Sequence, residues 1–335
     1  MLAGVAHFAT AVGHVAAFVI AGVALAGVAW IVSFSTEQVG ERLGTAVTGL
    51  MQSTLGNLPE FFVVIFALNA GDKIVAETAI LGSILVNALL VLGLVIIVGA
   101  RRSEDGIMRF SPRLPNDTAT MLMVSSFIIL LVGLANSAHD PASHHIKTIS
   151  IVSAVAILIA YGVWVRQYLT TEPPGTAGHT QARVPTSASI VLLVFSGAAA
   201  AFVSDWFVDA LEPTIHTVGI SRSFAGLVIV ATAGNAVEHA VGVVLAAKGQ
   251  NELAISVVKN SVAQIAAFLY PLLVLVSLLT VTSLTFALAP VYTGALLGTA
   301  VLVWQITGDG EATPFEGAAL IAAFVIIATV AAFET

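Results

Sequence analysis

The sequence predicts an all-α integral membrane protein of about 10 transmembrane helices, arranged as two inverted 5-helix repeats. The first observation is composition: of 335 residues, 58% are hydrophobic and only 9% are charged, which lies outside the range of soluble domains. The second is the length of the apolar runs, mostly about 18 to 25 residues, which suits helices crossing about 30 Å of hydrocarbon. The third is a polar motif that occurs twice at a fixed spacing.

Ten apolar segments are the expected spans, numbered 1 to 10 in chain order. Their approximate limits are residues 11–34, 44–69, 75–99, 118–136, 147–168, 186–205, 222–247, 253–280, 285–306 and 314–333. None has the alternating pattern of outer-membrane strands. We expect one transmembrane domain over residues 1–335, with the first repeat at 11–169, a Pro- and Gly-rich linker at 170–185 and the second repeat at 186–335.

The distribution of Lys and Arg predicts the orientation in the membrane. Loops that follow odd-numbered spans carry eight basic residues, namely Arg42, Arg101, Arg102, Arg109, Arg113, Arg166, Arg183 and Lys248. The opposite side carries three, namely Lys73, Lys147 and Arg222. The positive-inside rule therefore places both termini outside.

Two short stretches, "TLGNLPEFF" at 54–62 and "TAGNAVEHA" at 232–240, place polar residues inside apolar spans. They align at an offset of 178 residues, which pairs Glu60 with Glu238 and Asn57 with Asn235. A unit of five spans crosses the membrane an odd number of times, so its second copy must start on the opposite face. Such inverted repeats are typical of secondary transporters, which bind substrate near the midplane where the repeats meet.

The two glutamates are the strongest candidates for a functional site. An ionisable side chain at the bilayer midplane costs roughly 3 kcal/mol on insertion scales and is a functional candidate by default. Asn57 and Glu60 are three residues apart and share a helix face, as do Asn235 and Glu238. Two carboxylates at equivalent positions of a repeat are therefore expected to form one site.

Residues that break helices surround both motifs. Pro59 lacks a backbone donor, and Gly56 and Gly234 loosen their helices. Backbone carbonyls about one turn earlier, around Ser53 and Ala231, can then turn inward as ligands.

The expected site is rich in oxygen. Hard cations such as Ca²⁺ take six to eight oxygen ligands, and two carboxylates would neutralise one divalent ion. The next helix of each repeat can add further polar groups, namely Ser83, Asn87, Ser261 and Gln264. A hard divalent cation such as Ca²⁺ is thus the expected substrate, with the lipid bilayer as surroundings and no resident cofactor.

At these residues the sequence resembles the Ca²⁺/H⁺ exchanger (CAX) family of the cation/Ca²⁺ exchanger superfamily. The similarity rests on "GNLPE" and "GNAVEH", and on "TEQVGERLG" at 36–44, "LGSILVNALLVLG" at 81–93 and "QIAAFLYPLLVL" at 264–275. The resemblance implies a Ca²⁺/H⁺ antiporter whose Glu60 and Glu238 carry Ca²⁺ and H⁺ in turn. It also implies that spans 1 and 6 form a moving gate bundle.

The sequence departs from the family pattern in three places. Family members commonly have eleven spans, and we expect the difference to be an additional first helix. They also commonly have an acidic segment between the halves, where this linker has only Glu172. Lys259 and Asn260 replace a small apolar residue and Gly, so Lys259 either snorkels to the cytoplasmic surface or places a positive charge near the site.

The same carboxylates can hold protons or Ca²⁺ but not both, which predicts antiport by competition, with a coupled titration of the pair. His239 follows Glu238 and is either a proton relay or pH sensor, or a hydrogen-bonded packing residue. A second cluster, "AHDPASHHIK" at 138–147, could bind a soft metal, although a solvated loop is the favoured interpretation.

Other functions are less compatible with the sequence. Na⁺/Ca²⁺ exchange or another cation/proton exchange is the near alternative. An intramembrane hydrolase would need a nucleophile or metal motif that is not found. A channel is disfavoured by the inverted repeat, and nothing is basic enough for nucleic acid. We expect a multi-pass protein of a prokaryotic plasma membrane, and the oligomeric state is not encoded.

The orientation can be tested by labelling, because the chain contains no Cys. A single cysteine at Ser143→Cys should react with an impermeant thiol reagent from outside the cell, since the loop after span 4 is predicted to be outside. A cysteine at Gly178→Cys should not react. The reverse pattern would overturn the assigned topology.

Overall fold

The computed structural model describes residues 13–40, 55–171 and 184–334, and nearly all of these residues are helical. Eight helices in this part of the chain are long and apolar enough to cross a membrane, or nine if one bent pair counts as a single span. The predicted class, a multi-pass all-α membrane protein, is confirmed.

Most predicted spans correspond to single helices. Spans 1, 4, 5, 6, 9 and 10 are the helices His14–Gly40, Arg113–Ser137, Ile146–Thr171, Thr186–Val218, Pro290–Thr307 and Pro314–Phe333. Span 2 is described from residue 55 onward, and its helix Leu58–Asn69, at 12 residues, is too short to cross the bilayer alone. Because residues 41–54 lie outside the described part, the count of ten remains a prediction.

Spans 3, 7 and 8 are composite, because each contains a π-helical segment. Span 3 joins Lys73–Leu85, the π segment Val86–Val91 and Leu92–Ala100. Span 7 joins Arg222–Phe224, the π segment Ala225–Val230, Ala231–Gly234 and Ala236–Ala247. Span 8 joins Asn251–Gln264, the π segment Ile265–Leu269 and Tyr270–Val276, followed by the 3₁₀ turn Ser277–Leu279. Short π segments of this kind are frequent at functional sites.

Span 6 is longer than predicted. The sequence predicts an end near residue 205, but the helix continues to Val218 with Pro213 inside it. Acidic residues do not stop a helix that projects beyond the hydrocarbon, because water solvates them there. The helix ends at Gly219, whose φ of 74° is a left-handed conformation that glycine adopts without strain.

The repeat is visible in the backbone as well as in the sequence. Gly71 and Gly249, which are 178 residues apart, both have positive φ, 82° and 76°, in the turns after spans 2 and 7. The next residues form matching hydrogen bonds, Asp72 N to Ala67 O at 2.9 Å and Gln250 N to Leu245 O at 3.0 Å. The π segments of spans 3 and 8 also occupy equivalent positions.

The repeats cross at glycines in the core. A Cβ added to Gly82 of span 3 would lie 2.1 Å from the carbonyl oxygen of Leu227 in span 7. A Cβ added to Gly226 would lie 2.0 Å from Thr78 Oγ1. Backbones therefore touch directly at this crossing, as small residues allow in membrane helix pairs. Spans 1 and 6 pack mainly against each other at the side of this core.

Two loops on the predicted cytoplasmic side are joined by a short antiparallel pair, strand β1 at Met108–Arg109 and strand β2 at Glu311–Ala312. The guanidinium of Arg109 binds Asp105 at 2.6 Å and Glu311 at 3.0 Å. Its hydrogen bond lowers the pKa of the exposed Asp105 carboxyl. Arg102 donates to the carbonyl of Ala247 at 2.8 Å, so the same loop also holds the end of span 7.

The close helix crossing at Gly82 predicts that adding one methyl group there destabilises the folded protein. Gly82→Ala should destabilise the protein by about 1 to 3 kcal/mol, because the added carbon overlaps the Leu227 backbone. The matched control is Gly162→Ala, since a Cβ there has nothing within 4 Å. Thermal unfolding in detergent measures both variants. Equal unfolding temperatures would contradict the close crossing.

Candidate ion-binding site

Both glutamates follow a break in their helix. Asn57 (φ −83°, ψ 6°) precedes the helix that contains Glu60, and Asn235 (φ −109°, ψ 12°) precedes the helix that contains Glu238. The two parts of span 7 meet at an angle of 64°. Pro59 lies in the first turn of its helix, where a missing N–H is harmless. The same break therefore occurs in both repeats, where the sequence predicts it.

The two breaks face each other. A Cβ on Gly56 would lie 3.2 Å from Glu238 Oε1, and a Cβ on Gly234 would lie 3.8 Å from Glu60 Cβ. Each glycine thus leaves room for the glutamate of the other repeat. The two carboxyl groups are close enough for Glu238 to repel a charge on Glu60. The geometry brings both predicted carboxylates into one site.

Spans 3 and 8 surround the carboxylates with hydroxyl and amide groups. Ser261 Oγ donates to Glu238 Oε2 at 2.6 Å, and Asn87 Nδ2 donates to Ser261 Oγ at 3.4 Å. Asn235 Nδ2 donates to Ser83 Oγ at 3.0 Å. Asn87 Nδ2 also donates to the Ser83 carbonyl at 3.0 Å. Together these bonds connect five of the predicted site residues, from both repeats, in one cluster.

Glu60 is the more deeply buried of the two glutamates, with 4% of its surface exposed, whereas Glu238 is only half-buried. Ser83 and Asn235 lie beside the Glu60 carboxyl, but neither of its oxygens completes a hydrogen bond. Asn87 Oδ1 and Gln264 Oε1 are also buried without a donor. All four atoms are hydrogen-bond acceptors without a donor. A bound cation, or protons on the carboxylates, would satisfy them.

Of the two residues predicted to supply backbone carbonyl ligands, the structure describes only Ala231. Ser53 lies outside the described residues. The carbonyl of Ala231 accepts the backbone N–H of Asn235 at 3.3 Å and its side-chain amide at 3.1 Å. In this conformation the Ala231 carbonyl therefore accepts hydrogen bonds from the backbone and side chain of Asn235. Its role as an ion ligand remains a prediction.

Lys259 does not reach the surface. Its side chain is 2% exposed, and Nζ donates to Thr307 Oγ1 of span 9 at 2.6 Å. On a helix, residues 259 and 261 point roughly 200° apart, so Lys259 faces away from Ser261 and the carboxylates. The snorkelling interpretation is wrong, because Thr307 provides a buried acceptor within reach.

The two histidine motifs lie in different surroundings. His239 Nε2 is buried without a hydrogen-bond partner. The loop cluster His139, Asp140, His144 and His145 is exposed, and Asp140 caps the turn by accepting from Ala142 N at 2.9 Å. Among the described residues, no group of three or more His, Cys, Asp or Glu side chains could hold a metal. The interpretation of this cluster as a solvated loop is therefore favoured.

Sequence reasoning missed two features of the site region. Ser204 of span 6 donates to the Pro59 carbonyl at 3.1 Å, next to Glu60. The π segments begin at or beside Asn87 and Gln264. No local sequence signal distinguishes these segments, although the 178-residue repeat would have paired them once one was known.

A comparison with protein families identifies the chain. The family described as "Sodium/calcium exchanger protein" matches residues 13–167 and 188–333, which is most of the sequence. The chain belongs to this family. It is a member of the cation/Ca²⁺ exchanger superfamily, and the resemblance inferred from the two glutamate motifs is confirmed.

Named relatives and solved structures agree with this assignment. The Ca²⁺/H⁺ antiporter ChaA of Bacillus subtilis is 31% identical over 88% of this chain and 85% of its own. The vacuolar calcium ion transporter of Schizosaccharomyces pombe is 29% identical over 92% of this chain and 77% of its own. The structure of native YfkE superposes with a TM-score of 0.81 at 24% identity, over 99% and 96% of the two chains. The fold is therefore that of this exchanger family.

The inverted repeat supplies a matched test of the site. Gly56→Ala should weaken Ca²⁺ binding by roughly threefold to tenfold, because its methyl group would crowd Glu238 Oε1 at 3.2 Å. Gly234→Ala, the equivalent change in the other repeat, meets only Glu60 Cβ at an ordinary 3.8 Å and should have a smaller effect. Calorimetric Ca²⁺ titration of the purified variants makes the comparison. A reversed order would contradict the geometry.

Proposed function

We propose that this protein is a secondary Ca²⁺/H⁺ antiporter in which Ca²⁺ and protons compete for Glu60 and Glu238. The observation that carries the proposal is the pair of carboxyl groups, one from each repeat, that meet among acceptor oxygens without donors, with Glu60 buried and Glu238 half-buried. Membership of the exchanger family and the names of its relatives support it. Like those relatives, the protein is a transporter, and no catalytic reaction is assigned to it.

Competition follows from electrostatics. Two close carboxylates in a medium of low dielectric repel each other strongly when both are charged. One Ca²⁺ neutralises both charges, and so do two protons, but the site does not hold both together. If only the neutralised forms change conformation, Ca²⁺ moves one way and protons the other, and the empty charged site does not leak.

The surrounding groups have distinct roles in this proposal. Asn57, Asn235, Ser83, Asn87, Ser261 and Gln264 supply hydroxyl and amide oxygens, as a Ca²⁺ site of six to eight ligands requires. Carbonyls near Ser53 and Ala231 complete the shell in states where the helix breaks open further. His239 passes protons to Glu238 or senses pH, since its Nε2 lies buried without a partner beside the site.

The cellular setting is part of the proposal. We assign the protein to a prokaryotic plasma membrane, since bacterial antiporters are among its relatives. We place both termini outside on the basis of the eight-to-three distribution of basic residues. Within the lipid bilayer, two units of five spans, 11–169 and 186–335, would act as the inverted halves. The linker 170–185 would then lie on the cytoplasmic side.

Na⁺/Ca²⁺ exchange is the second candidate, because the matching family is described by that activity. In that case the glutamates would stay ionised and Na⁺ would take the place of the protons. Exchange of another cation for protons is a further alternative of the same kind. The counter-ion is therefore the property that an experiment must decide.

Transport in proteoliposomes tests the proposal directly. Uptake of ⁴⁵Ca²⁺ should be driven by an imposed pH gradient with Na⁺ absent, and an inward Ca²⁺ gradient should move protons outward. Ca²⁺ binding to purified protein should also release protons, measured by calorimetry in two buffers of different ionisation enthalpy. Uptake that requires a Na⁺ gradient, with no proton release, would select the Na⁺/Ca²⁺ exchanger instead.

Both glutamates should be required. Glu60→Gln and Glu238→Gln keep the shape of the side chain but remove a charge that Ca²⁺ needs, so each should lower Ca²⁺ uptake at least about tenfold. Glu104→Gln, a change on an exposed loop, is the control for expression and handling. Uptake near the wild-type rate in either variant would rule out a site of two carboxylates.

A further inference from the structure

The two halves of the molecule are not equally closed. Val63 in the second part of span 2 is 1% exposed, whereas its repeat equivalent Val241 in span 7 is 39% exposed. Span 6 packs along the second part of span 2, but within the described residues span 1 contacts the second part of span 7 only sparsely. Glu60 is accordingly buried and Glu238 half-buried. The site is closed on the face where spans 6 and 7 connect, called here the closed face.

Spans 1 and 6 are the natural moving unit. They pack mainly on each other, and Phe18 stacks on Phe207 with ring centroids 4.6 Å apart. Thr214 of span 6 also donates to the His14 carbonyl of span 1 at 3.3 Å. Alternating access in inverted repeats occurs by movement of one bundle against the other. Opening of the closed face therefore requires span 6 to leave the second part of span 2.

An ion-pair network crosses from span 6 to the core at this face. Arg222, in the first turn of span 7, binds Glu212 of span 6 and lies 3.7 Å from Asp72, which caps span 3. His216, one turn further along span 6, contacts Glu212 at 3.2 Å. The connection between the two helices turns at Gly219, which can absorb a change in angle. The network therefore bridges a hinge.

The sequence of the other repeat does not carry these three charged residues at the equivalent positions. At the 178-residue offset, Glu212, Arg222 and Asp72 correspond to Phe34, Gly44 and Gln250. The offset holds in spans 1 and 6, because Thr36 and Thr214 are equivalent and both donate to the carbonyl four residues earlier. Two identical repeats would make the two facing states equal in energy. Three charged positions that have uncharged equivalents in the other repeat make them unequal.

We propose that Glu212, Arg222 and Asp72 form a latch that holds the closed face shut and shifts the protein toward the state seen here. The ion pairs are partly exposed, so their contribution is that of a small surface network. A free energy of this size shifts the balance between the two facing states without preventing transport. When span 6 moves, Glu212 separates from Arg222, while Asp72 retains Arg222 on the core.

A buried reporter cysteine tests the latch without any measurement of transport, so its outcome is independent of the transported ion. Ser204→Cys places one thiol, fully buried, on span 6 against Pro59 in this Cys-free chain. Adding Arg222→Gln or Glu212→Gln should accelerate alkylation by N-ethylmaleimide about two- to fivefold, as expected for loss of a surface ion pair. Arg222→Lys should have a smaller effect.

Controls separate opening of the gate from general loosening. Lys147→Gln, in the exposed first turn of span 5, should leave the alkylation rate of the reporter unchanged. A second reporter, Ser125→Cys, is fully buried in span 4, and its rate should not respond to the latch variants. Equal acceleration at both reporters would assign Arg222 a general structural role. An unchanged Ser204→Cys rate in both latch variants would overturn the proposal.

Discussion

The energy of two carboxyl groups inside a low-dielectric core is the constraint on which the rest of this structure depends. Glu60 is almost fully buried, and its oxygens have no hydrogen-bond donor. A buried charge of this kind is tolerated only when it is neutralised. Protons and a divalent cation are the two ways to neutralise the pair, so the geometry itself makes them competitors. Helix breaks, small residues and hydroxyl groups all serve to bring that pair together.

The inverted repeat explains how such a site can be built and also how it can move. Each repeat supplies one broken helix and one crossing helix, so Ser83 lies beside Glu60 while Ser261 donates to Glu238. Because the halves are alike, either could close over the site. The exposures of Val63 and Val241 differ nonetheless. A preference for one facing state therefore comes from residues that differ between the two repeats. The charged residues at the hinge after span 6 are one such difference.

Two predictions about individual residues failed for instructive reasons. Lys259 was expected either to reach the surface or to place its charge near the site, yet its amine binds Thr307, a residue 48 positions later in the chain. The end of span 6 was predicted near residue 205, yet the helix continues to Val218. In the first case the partner of a polar side chain lies on a distant segment, and in the second the helix extends past the apolar run from which its length was predicted.

The sequence by itself determined the membrane environment, the helical class, the repeat and the identity of both glutamates. These follow from composition, run length and an exact spacing of 178 residues, all of which are properties of the chain in order. Only the tertiary structure decided that Gly56 faces Glu238, that Asn235 binds Ser83, and which face of the site is closed. Those facts depend on how helices from separate repeats cross, and a linear pattern does not record the angle or depth of a crossing.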